Sequence, residues 1–346
     1  MSVALVVSGG GSKGAFAVGV IKELTKKFPQ LEYDLYVGTS TGSLIVPLVA
    51  MGELDLVEEL YTTVTTENII SKNNLGDRLS EHSIFDATPL WDLICLHYTD
   101  ARYDQLIQSN KKVYLTTTCL QSGELVIFTN DTTSVDHANY KVEQLTSADH
   151  FRKAIMASAC QPVFMPPVKV NLKVPGHPNP NWQYVDGGVR QYVGIEMAID
   201  HGAEHIVTIL LSPAENEPEH KEFKTIFPIL EQTIDIFTTD VGKNDLIIPQ
   251  QFNEALLYID AVKKKMKREG YSQNEIEKLF TIRGRENPFE EKKPLNIFLI
   301  RPTESLGGGP GGLNFDPAEM LEMLTTGRQL ANQFIASIDK TKTPWA

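Results

Sequence analysis

Short apolar runs alternate with longer amphipathic stretches along most of the chain. Residues 3–7 are continuously apolar and rich in β-branched side chains, as expected of a strand that is buried on both faces of a sheet. Residues 14–28 instead repeat apolar side chains at helical spacing, and the apolar residues 35–37 follow as a second strand. The alternation predicts an α/β fold in which helices cover both faces of a mostly parallel central sheet.

The same periodicities predict the remaining elements. Helices are expected over residues 44–51, 54–65, 151–160, 223–238, 252–266 and 319–338, and strands over residues 112–120, 124–129, 168–174, 206–211 and 296–300. The block between the last two strands is more charged and mainly helical. We therefore expect a core over residues 1–214, a helical insertion or cap over 215–294, and a return of the chain to the core over 295–346.

The balance of charge restricts the partners that the chain can bind. The formal net charge is −12, which disfavours a nucleic-acid partner because phosphates need a basic protein face. A strong electrostatic hold on anionic membranes is disfavoured for the same reason, although local peripheral contact with a membrane stays open. The three scattered cysteines form no disulfide or metal pattern, and no apolar stretch is long enough to span a bilayer. We expect a cytoplasmic protein that is able to contact membranes peripherally.

The pentapeptide Gly38-Thr39-Ser40-Thr41-Gly42 follows the second predicted strand and precedes a helical stretch. A strand, Gly-x-Ser-x-Gly and a helix in this order describe a nucleophile elbow, whose tight turn requires glycine at the flanking positions. Such a turn exposes the serine hydroxyl at the edge of the sheet and at a helix N-terminus, where unpaired N–H groups favour developing negative charge. Ser40 is therefore the candidate nucleophile of a serine hydrolase.

A glycine loop, Gly9-Gly10-Gly11-Ser12-Lys13-Gly14, joins the first predicted strand to the first helix. Successive glycines allow backbone N–H groups to face one point, which for ester hydrolysis would be the oxyanion of the tetrahedral intermediate. The loop also matches the dinucleotide fingerprint Gly-x-Gly-x-x-Gly through Gly9, Gly11 and Gly14. The acidic residue that a dinucleotide site needs would be Asp34, but Asp34 precedes the second strand instead of ending it. The serine elbow beside the loop favours an oxyanion hole.

The tripeptide Asp186-Gly187-Gly188 follows a short apolar run. A carboxylate at a strand end beside two glycines can approach another loop closely, take the proton of Ser40 as a general base and return it to the leaving group. Taken alone, Asp-Gly-Gly is more often a simple turn. A Ser–Asp–His triad completed by His201 or His205 is an alternative, although the elbow lies unusually early in the chain for that arrangement.

In this order, the glycine loop, the elbow and the Asp-Gly-Gly turn resemble the patatin-like phospholipase family. The resemblance covers residues 3–211, includes the segment Ala157-Ser158-Ala159-Cys160-Gln161-Pro162, and has a looser echo at residues 315–327. It implies a three-layer α/β/α fold and a Ser–Asp dyad that hydrolyses acyl esters of lipids without histidine, metal or cofactor. On the matching positions, Ser40 would be the nucleophile, Asp186 the base, and Gly9, Gly10 and Gly11 the oxyanion hole. Lys13 would contact the phosphate of a phospholipid, and is equally typical of a solvated lysine in a first helical turn.

One segment departs from the family pattern. Members often carry Asn and then Pro after Asp-Gly-Gly, whereas this chain has Val189-Arg190-Gln191-Tyr192-Val193-Gly194, so the shape of the neighbouring acyl pocket is not predicted. The sequence predicts a lipid acyl hydrolase of the phospholipase A or lysophospholipase type. The alternatives are a general carboxylesterase or thioesterase of the same fold, a dinucleotide-dependent oxidoreductase, and a module whose dyad is latent until a partner or lipid surface rearranges residues 215–294.

Overall fold

The computed structural model describes residues 2–71, 82–215, 218, 220, 222–285, 287–290, 292–339, 343 and 345. The strands in this part of the chain are β1 (Val3–Val7), β2 (Leu35–Thr39), β3 (Lys112–Cys119), β4 (Leu125–Thr129), β5 (Tyr140–Gln144), β6 (Tyr184–Asp186), β7 (His205–Ile209) and β8 (Asn296–Ile300). The α-helices are α1 (Gly14–Lys27), α2 (Thr41–Ala50), α3 (Leu54–Thr63), α4 (Thr66–Ile69), α5 (Thr88–His97), α6 (Asp100–Gln108), α7 (Ala148–Ala159), α8 (Ile195–Asp200), α9 (Ile226–Arg268), α10 (Gln273–Phe280) and α11 (Pro317–Ser337).

All of these strands belong to one sheet, in the order β5-β4-β3-β2-β1-β7-β8, with β6 paired to β3. The pairs β1/β2, β1/β7, β2/β3, β4/β5 and β7/β8 are parallel, whereas β4 and β6 each run antiparallel to β3. The predicted α/β fold with a mostly parallel central sheet is thus confirmed. The predicted hairpin of residues 112–120 and 124–129 is confirmed as well, as strands β3 and β4.

Strand β1 shows why the sheet needs helices on both faces. Its five residues are all buried, and successive side chains of a strand point to opposite faces. Leu5 and Val7 join one core cluster, in which α1, α2 and α11 cover the sheet. Ala4 and Val6 join a second cluster, which α8 covers from the opposite side. The result is a helix–sheet–helix arrangement of three layers, and it places α11 from the C-terminal part of the chain directly on α1.

Helix α9 differs from the expectation for this region. The two helices predicted over residues 223–238 and 252–266 are one continuous helix of 43 residues, and Pro249 lies inside it. Gly242, Asn244 and Pro249 are weak helix formers, which explains the gap in the sequence-based prediction. Tertiary contacts compensate, because the Asp245 carboxylate accepts backbone hydrogen bonds from another loop and Leu246 is buried in the core. The boundaries at residues 214 and 294 stay predictions.

Other sequence expectations fail where tertiary contacts override the local pattern. The strand predicted over residues 168–174 is a short 3-10 helix, Val170–Lys173, preceded by a single bridge from Val168 to Tyr184. The pattern also missed α5, α6 and strand β5, which lies at the sheet edge and is exposed or half-buried along most of its length. Among the described residues, no helix has the length and apolar character needed to cross a membrane.

Candidate active site

Strands β2 and β6 meet end to end along one edge of β3. Strand β2 pairs with β3 up to Thr39 opposite Thr116, and β6 pairs antiparallel with it from Asp186 opposite Thr117. Strand β4 occupies the other edge of β3 along residues 114–118, so β2 and β6 share the same edge. Because the two strands point toward each other, their carboxyl ends face one another across adjacent positions of β3. This geometry brings Ser40, which follows Thr39, next to Asp186.

Ser40 occupies the tight turn between β2 and α2. Its backbone φ of 55° and ψ of −121° lie in a region that side chains with a Cβ rarely adopt. Ser40 is one of only two non-glycine residues with positive φ in the described part of the chain, and such strain clusters at functional sites. The turn presents the hydroxyl at the N-terminus of α2, as the elbow motif predicts.

Ser158, on the last turn of α7, holds the elbow in place. Its Oγ accepts a hydrogen bond from the Ser40 N–H at 3.1 Å and lies 2.6 Å from Ser43 Oγ. The Ser43 hydroxyl in turn donates to the Gly38 carbonyl at 2.8 Å. Since Ser43 has one proton and gives it to Gly38, the Ser158 hydroxyl donates to Ser43. These three bonds fix the strained turn from the inside. Ser158 lies in a segment that resembles the family, but the segment alone does not indicate this role.

Asp186 is buried at the end of β6. One carboxylate oxygen accepts the Gly188 N–H at 2.7 Å, and the carboxylate and the Ser40 side chain line the same cavity. Its main chain is fixed on both sides, because its N–H donates to the Cys160 carbonyl and its carbonyl accepts from the Thr118 hydroxyl. Burial raises the pKa of Asp186 to about 6, while the hydrogen bonds from Ser40 and Gly188 oppose that shift.

The glycine loop lies beside this pair. Gly10 and Gly11 have φ values of 152° and 58°, in the region that favours glycine, and both line the same cavity as Ser40 and Asp186. Among the hydrogen bonds of the described residues, none uses their N–H groups. The Gly9 N–H is different, since it donates to the Tyr192 carbonyl at 3.3 Å. Two of the three expected N–H donors therefore remain available at the cavity.

A cavity opens in front of Ser40, and its wall includes residues that lie outside the sequence motifs. Helix α9 contributes Ile234, Asp235 and Thr238 to that wall. Lys13 also lines the cavity; burial lowers the pKa of its ammonium group, and the nearby carboxylate of Asp235 opposes the shift. The predicted cap region thus forms part of the wall around the candidate nucleophile.

Residues 189–194, which depart from the family pattern, are held in place by α9. The carboxylate of Asp245 accepts the N–H groups of Tyr192 and Val193 at 2.6 and 3.0 Å, and burial raises its pKa to about 6. Tyr192 lines the cavity, and its ring packs against the backbone at Gly9 and Gly242. Asp235, Thr238, Gly242 and Asp245 follow helical spacing, so a polar stripe along α9 was the available signal for this contact.

Neither histidine of the alternative triad lies at this site. His205 begins β7 opposite Val3, at the amino ends of these parallel strands. Ser40 lies at the other end of the sheet, after the carboxyl end of β2. His201 is engaged elsewhere, with Nε2 2.7 Å from Ser134 Oγ and Nδ1 2.8 Å from the Met197 carbonyl. Among the described residues that line the Ser40 cavity, none is a histidine. The Ser–Asp–His alternative is not supported.

The dinucleotide alternative lacks its acidic residue. The Asp34 carboxylate accepts the Val3 N–H at 2.9 Å, at the amino end of β1, whereas the glycine loop follows the carboxyl end of that strand. A carboxylate there cannot reach a ribose bound over the loop. The glycine loop is therefore without the partner that the nucleotide fingerprint requires.

One cluster in the described part of the chain has the composition of a metal site. His137, Glu196 and Asp200 bring one potential ligand atom each within 4.8 Å of the others. Asn139 and Tyr140 already donate hydrogen bonds to Glu196 and Asp200. The cluster does not line the Ser40 cavity, so it gives no reason to add an ion to the chemistry of that cavity.

Comparisons with known proteins identify the family of the chain. The family model described as "Patatin-like phospholipase" matches residues 5–199, more than half of the 346 residues, and the chain belongs to that family. A "cUMP-AMP-activated phospholipase" from Escherichia coli is 42% identical over 62 residues, which is 17% of this chain and 19% of that protein. The chain matches less than a fifth of that relative's length. Membership of the family supports lipid acyl hydrolase activity in general.

A solved structure extends the comparison over a larger part of the chain. The crystal structure of VipD from Legionella pneumophila covers 97% of this chain and 67% of its own, with a TM-score of 0.44 and 12% sequence identity. A likeness at this level carries no conclusion about activity.

Proposed function

We propose that the chain is a lipid acyl hydrolase of the phospholipase A or lysophospholipase type, with Ser40 as nucleophile and Asp186 as general base. The observation that carries the proposal is that Ser40 and Asp186 lie next to each other at the facing ends of β2 and β6 and line one cavity, beside the unengaged N–H groups of Gly10 and Gly11. Nucleophile and base within hydrogen-bond reach are the signature of covalent ester hydrolysis.

The reaction would proceed in two steps. The Asp186 carboxylate takes the proton of the Ser40 hydroxyl as Oγ attacks the ester carbonyl, and the N–H groups of Gly10 and Gly11 stabilise the oxyanion. Asp186 then gives the proton to the departing alcohol, leaving the acyl group on Ser40. In the second step Asp186 takes a proton from a water molecule as that water attacks the acyl-enzyme. The bond between the acyl carbon and Ser40 Oγ then breaks, Asp186 returns the proton to Oγ, and the fatty acid leaves.

Lys13 favours a phospholipid over a simple ester as the substrate. Lys13 is half-buried at the cavity, where the field of Asp235 helps to keep its ammonium group charged. A cation near the reacting ester suits the phosphate of a head group. A general carboxylesterase or thioesterase would not need this charge. We therefore keep Lys13 as the proposed phosphate contact, and membrane contact as part of the same proposal.

The activity should depend on the ionisation of Asp186. The base is competent only as a carboxylate, and burial raises its pKa to about 6. We expect kcat/KM for an acyl ester to rise with pH through about 6 and to level off above it. A pH profile measured from pH 4.5 to 8 tests this. A flat profile, or a midpoint near 4, would contradict the proposed base.

Product analysis tests the reaction itself. The purified protein is incubated with a mixture of phospholipids, lysophospholipids and triacylglycerols, and the products are identified by mass spectrometry. We expect free fatty acids and deacylated phospholipids from the wild-type protein and none from Ser40→Ala. A fluorophosphonate should label Ser40 in the same preparation. Equal products from both proteins, or binding of NAD(H) without labelling of Ser40, would overturn the proposal.

A further inference from the structure

A second cavity adjoins the Ser40 cavity. It lies among α2, α3, α4 and α5. Four residues, Leu44, Ile69, Leu90 and Phe315, line both cavities, so the two lie side by side with these side chains between them. A ligand that starts at Ser40 would reach the second cavity by passing these four side chains.

The wall of the second cavity suits an alkyl chain. Aliphatic and aromatic side chains form it, apart from His97 at one end. The two tyrosine hydroxyls at the wall are already engaged, since Tyr61 shares a hydrogen bond with Thr41 and Tyr98 donates to the Leu44 carbonyl. Burial and the nearby Arg102 lower the pKa of His97, which favours its neutral form. Apart from His97, a polar ligand would find no free partner among these side chains, whereas a hydrocarbon matches the apolar wall.

Helix α2 gives this cavity a direction relative to the candidate nucleophile. Leu44 and Leu48 are four residues apart and lie on one face of the helix, and Ser40 immediately precedes its first residue, Thr41. Leu44 lines both cavities and Leu48 lines the second one alone. From Ser40 to Leu48, eight residues at the helical rise cover about 12 Å. Because the bonds of an extended alkyl chain zigzag, each carbon advances by about 1.25 Å, so roughly ten carbons cover that length.

We propose that this second cavity binds the acyl chain of the substrate, and that it makes the protein selective for long-chain acyl esters of about ten carbons or more. The proposal rests on the proposed function, because it assumes that the ester carbonyl lies at Ser40. Each methylene transferred from water to the apolar cavity favours binding by about fourfold. The wall formed by α3 and α5 then sets which chain lengths fit.

Leu93 offers a direct test, and Leu96 on the same helix provides the matched control. Leu93 is half-buried and lines the cavity, whereas Leu96 is 65% exposed and does not. We expect Leu93→Trp to lower kcat/KM for p-nitrophenyl palmitate at least tenfold relative to p-nitrophenyl butyrate. Leu96→Trp should leave that ratio within twofold of wild type. Turnover of the butyrate ester shows in each case that the protein is folded.

A second variant and a binding measurement separate failure of this proposal from failure of the proposed function. Leu60→Trp, on the α3 wall, should shift the chain-length ratio in the same direction as Leu93→Trp. An unchanged ratio in both variants would overturn the acyl site while leaving the hydrolase intact. If the wild-type protein hydrolyses neither ester, the proposed function fails. Palmitate binding then tests separately whether the second cavity holds an acyl chain. Palmitate should then bind at least tenfold more weakly to Leu93→Trp than to Leu96→Trp, and equal affinities would exclude the site.

Discussion

Asp186→Asn should lower kcat for acyl-ester hydrolysis by about a thousandfold or more, with the fold intact. Asparagine keeps the shape and the acceptor for the Gly188 N–H, but it cannot take the proton of Ser40. General-base catalysis typically contributes two to four orders of magnitude, and within the described residues no histidine lines the cavity to replace the carboxylate. Steady-state kinetics with a chromogenic acyl ester at pH 8 measure the loss.

Stability provides an internal check on Asp186→Asn. The folded-state pKa of Asp186 is raised to about 6, above its ordinary value near 3.8. Protonation of this buried group therefore increases the free energy of unfolding, and that contribution is lost as pH rises through about 6. At pH 8 the neutral asparagine avoids this cost. The variant should therefore unfold at the same temperature as wild type or higher, which rules out misfolding as the cause of lost activity.

Asp245→Asn is the matched control for this prediction. Asp245 is also a buried carboxylate whose pKa burial raises to about 6, but it accepts backbone N–H groups of Tyr192 and Val193 instead of contacting Ser40. An asparagine oxygen still accepts those bonds, so we expect less than about a tenfold change in kcat. Activity of Asp186→Asn near the wild-type level, or equal losses in the two variants, would remove the assignment of Asp186 as base.

The layers of the fold could be predicted from sequence because they depend on local periodicity. Strands β1 and β2 are continuous apolar runs, and α1 repeats apolar residues with a helical period, so pattern and structure agree there. Strand β5 is half-exposed and α9 contains Gly242 and Pro249, so both depend on tertiary contacts that local patterns do not contain. The failed strand at residues 168–174 has the same cause.

The candidate site, too, could be predicted from the sequence only in part. Ser40 and Asp186 lie in motifs that indicate tight turns, so both residues could be selected from the sequence. Their proximity could not be predicted, because it depends on the pairing of β6 with β3 beyond the end of β2. The engagement of the Gly9 N–H by Tyr192, and the contacts from Asp235 and Asp245, also join segments far apart along the chain.

Helix α9 connects the cap region to the proposed chemistry. Its Asp235 and Thr238 line the Ser40 cavity, and its Asp245 holds the loop that carries Tyr192. Any shift of α9 would therefore change the cavity wall and the loop together. A latent dyad that responds to a partner or a lipid surface would need such a connection, and constant activity with and without lipid vesicles would argue against latency.

Gly42→Ala should destabilise the protein by at least about 3 kcal/mol, although the position lies in the first turn of α2. Helix propensity alone predicts the opposite sign, a gain of up to about 1 kcal/mol. The steric effect decides, because an added Cβ would lie 2.2 Å from the Val7 carbonyl oxygen. Val7 ends β1, which pairs with β2 and β7 in the middle of the sheet and cannot move away.

Urea unfolding of Gly42→Ala measures this effect, with Gly52→Ala as its control. Gly52 has a φ of 81° and no atom within 4 Å of an added Cβ, so only the left-handed backbone penalises alanine there, by about 1–2 kcal/mol. A larger loss at Gly42 than at Gly52 supports a turn in which helix α2 approaches β1 more closely than any side chain allows. Stability of Gly42→Ala equal to or above wild type would mean that the elbow is looser than this contact requires, and Ser40 would then not be held against Asp186 by the packing of α2 on β1.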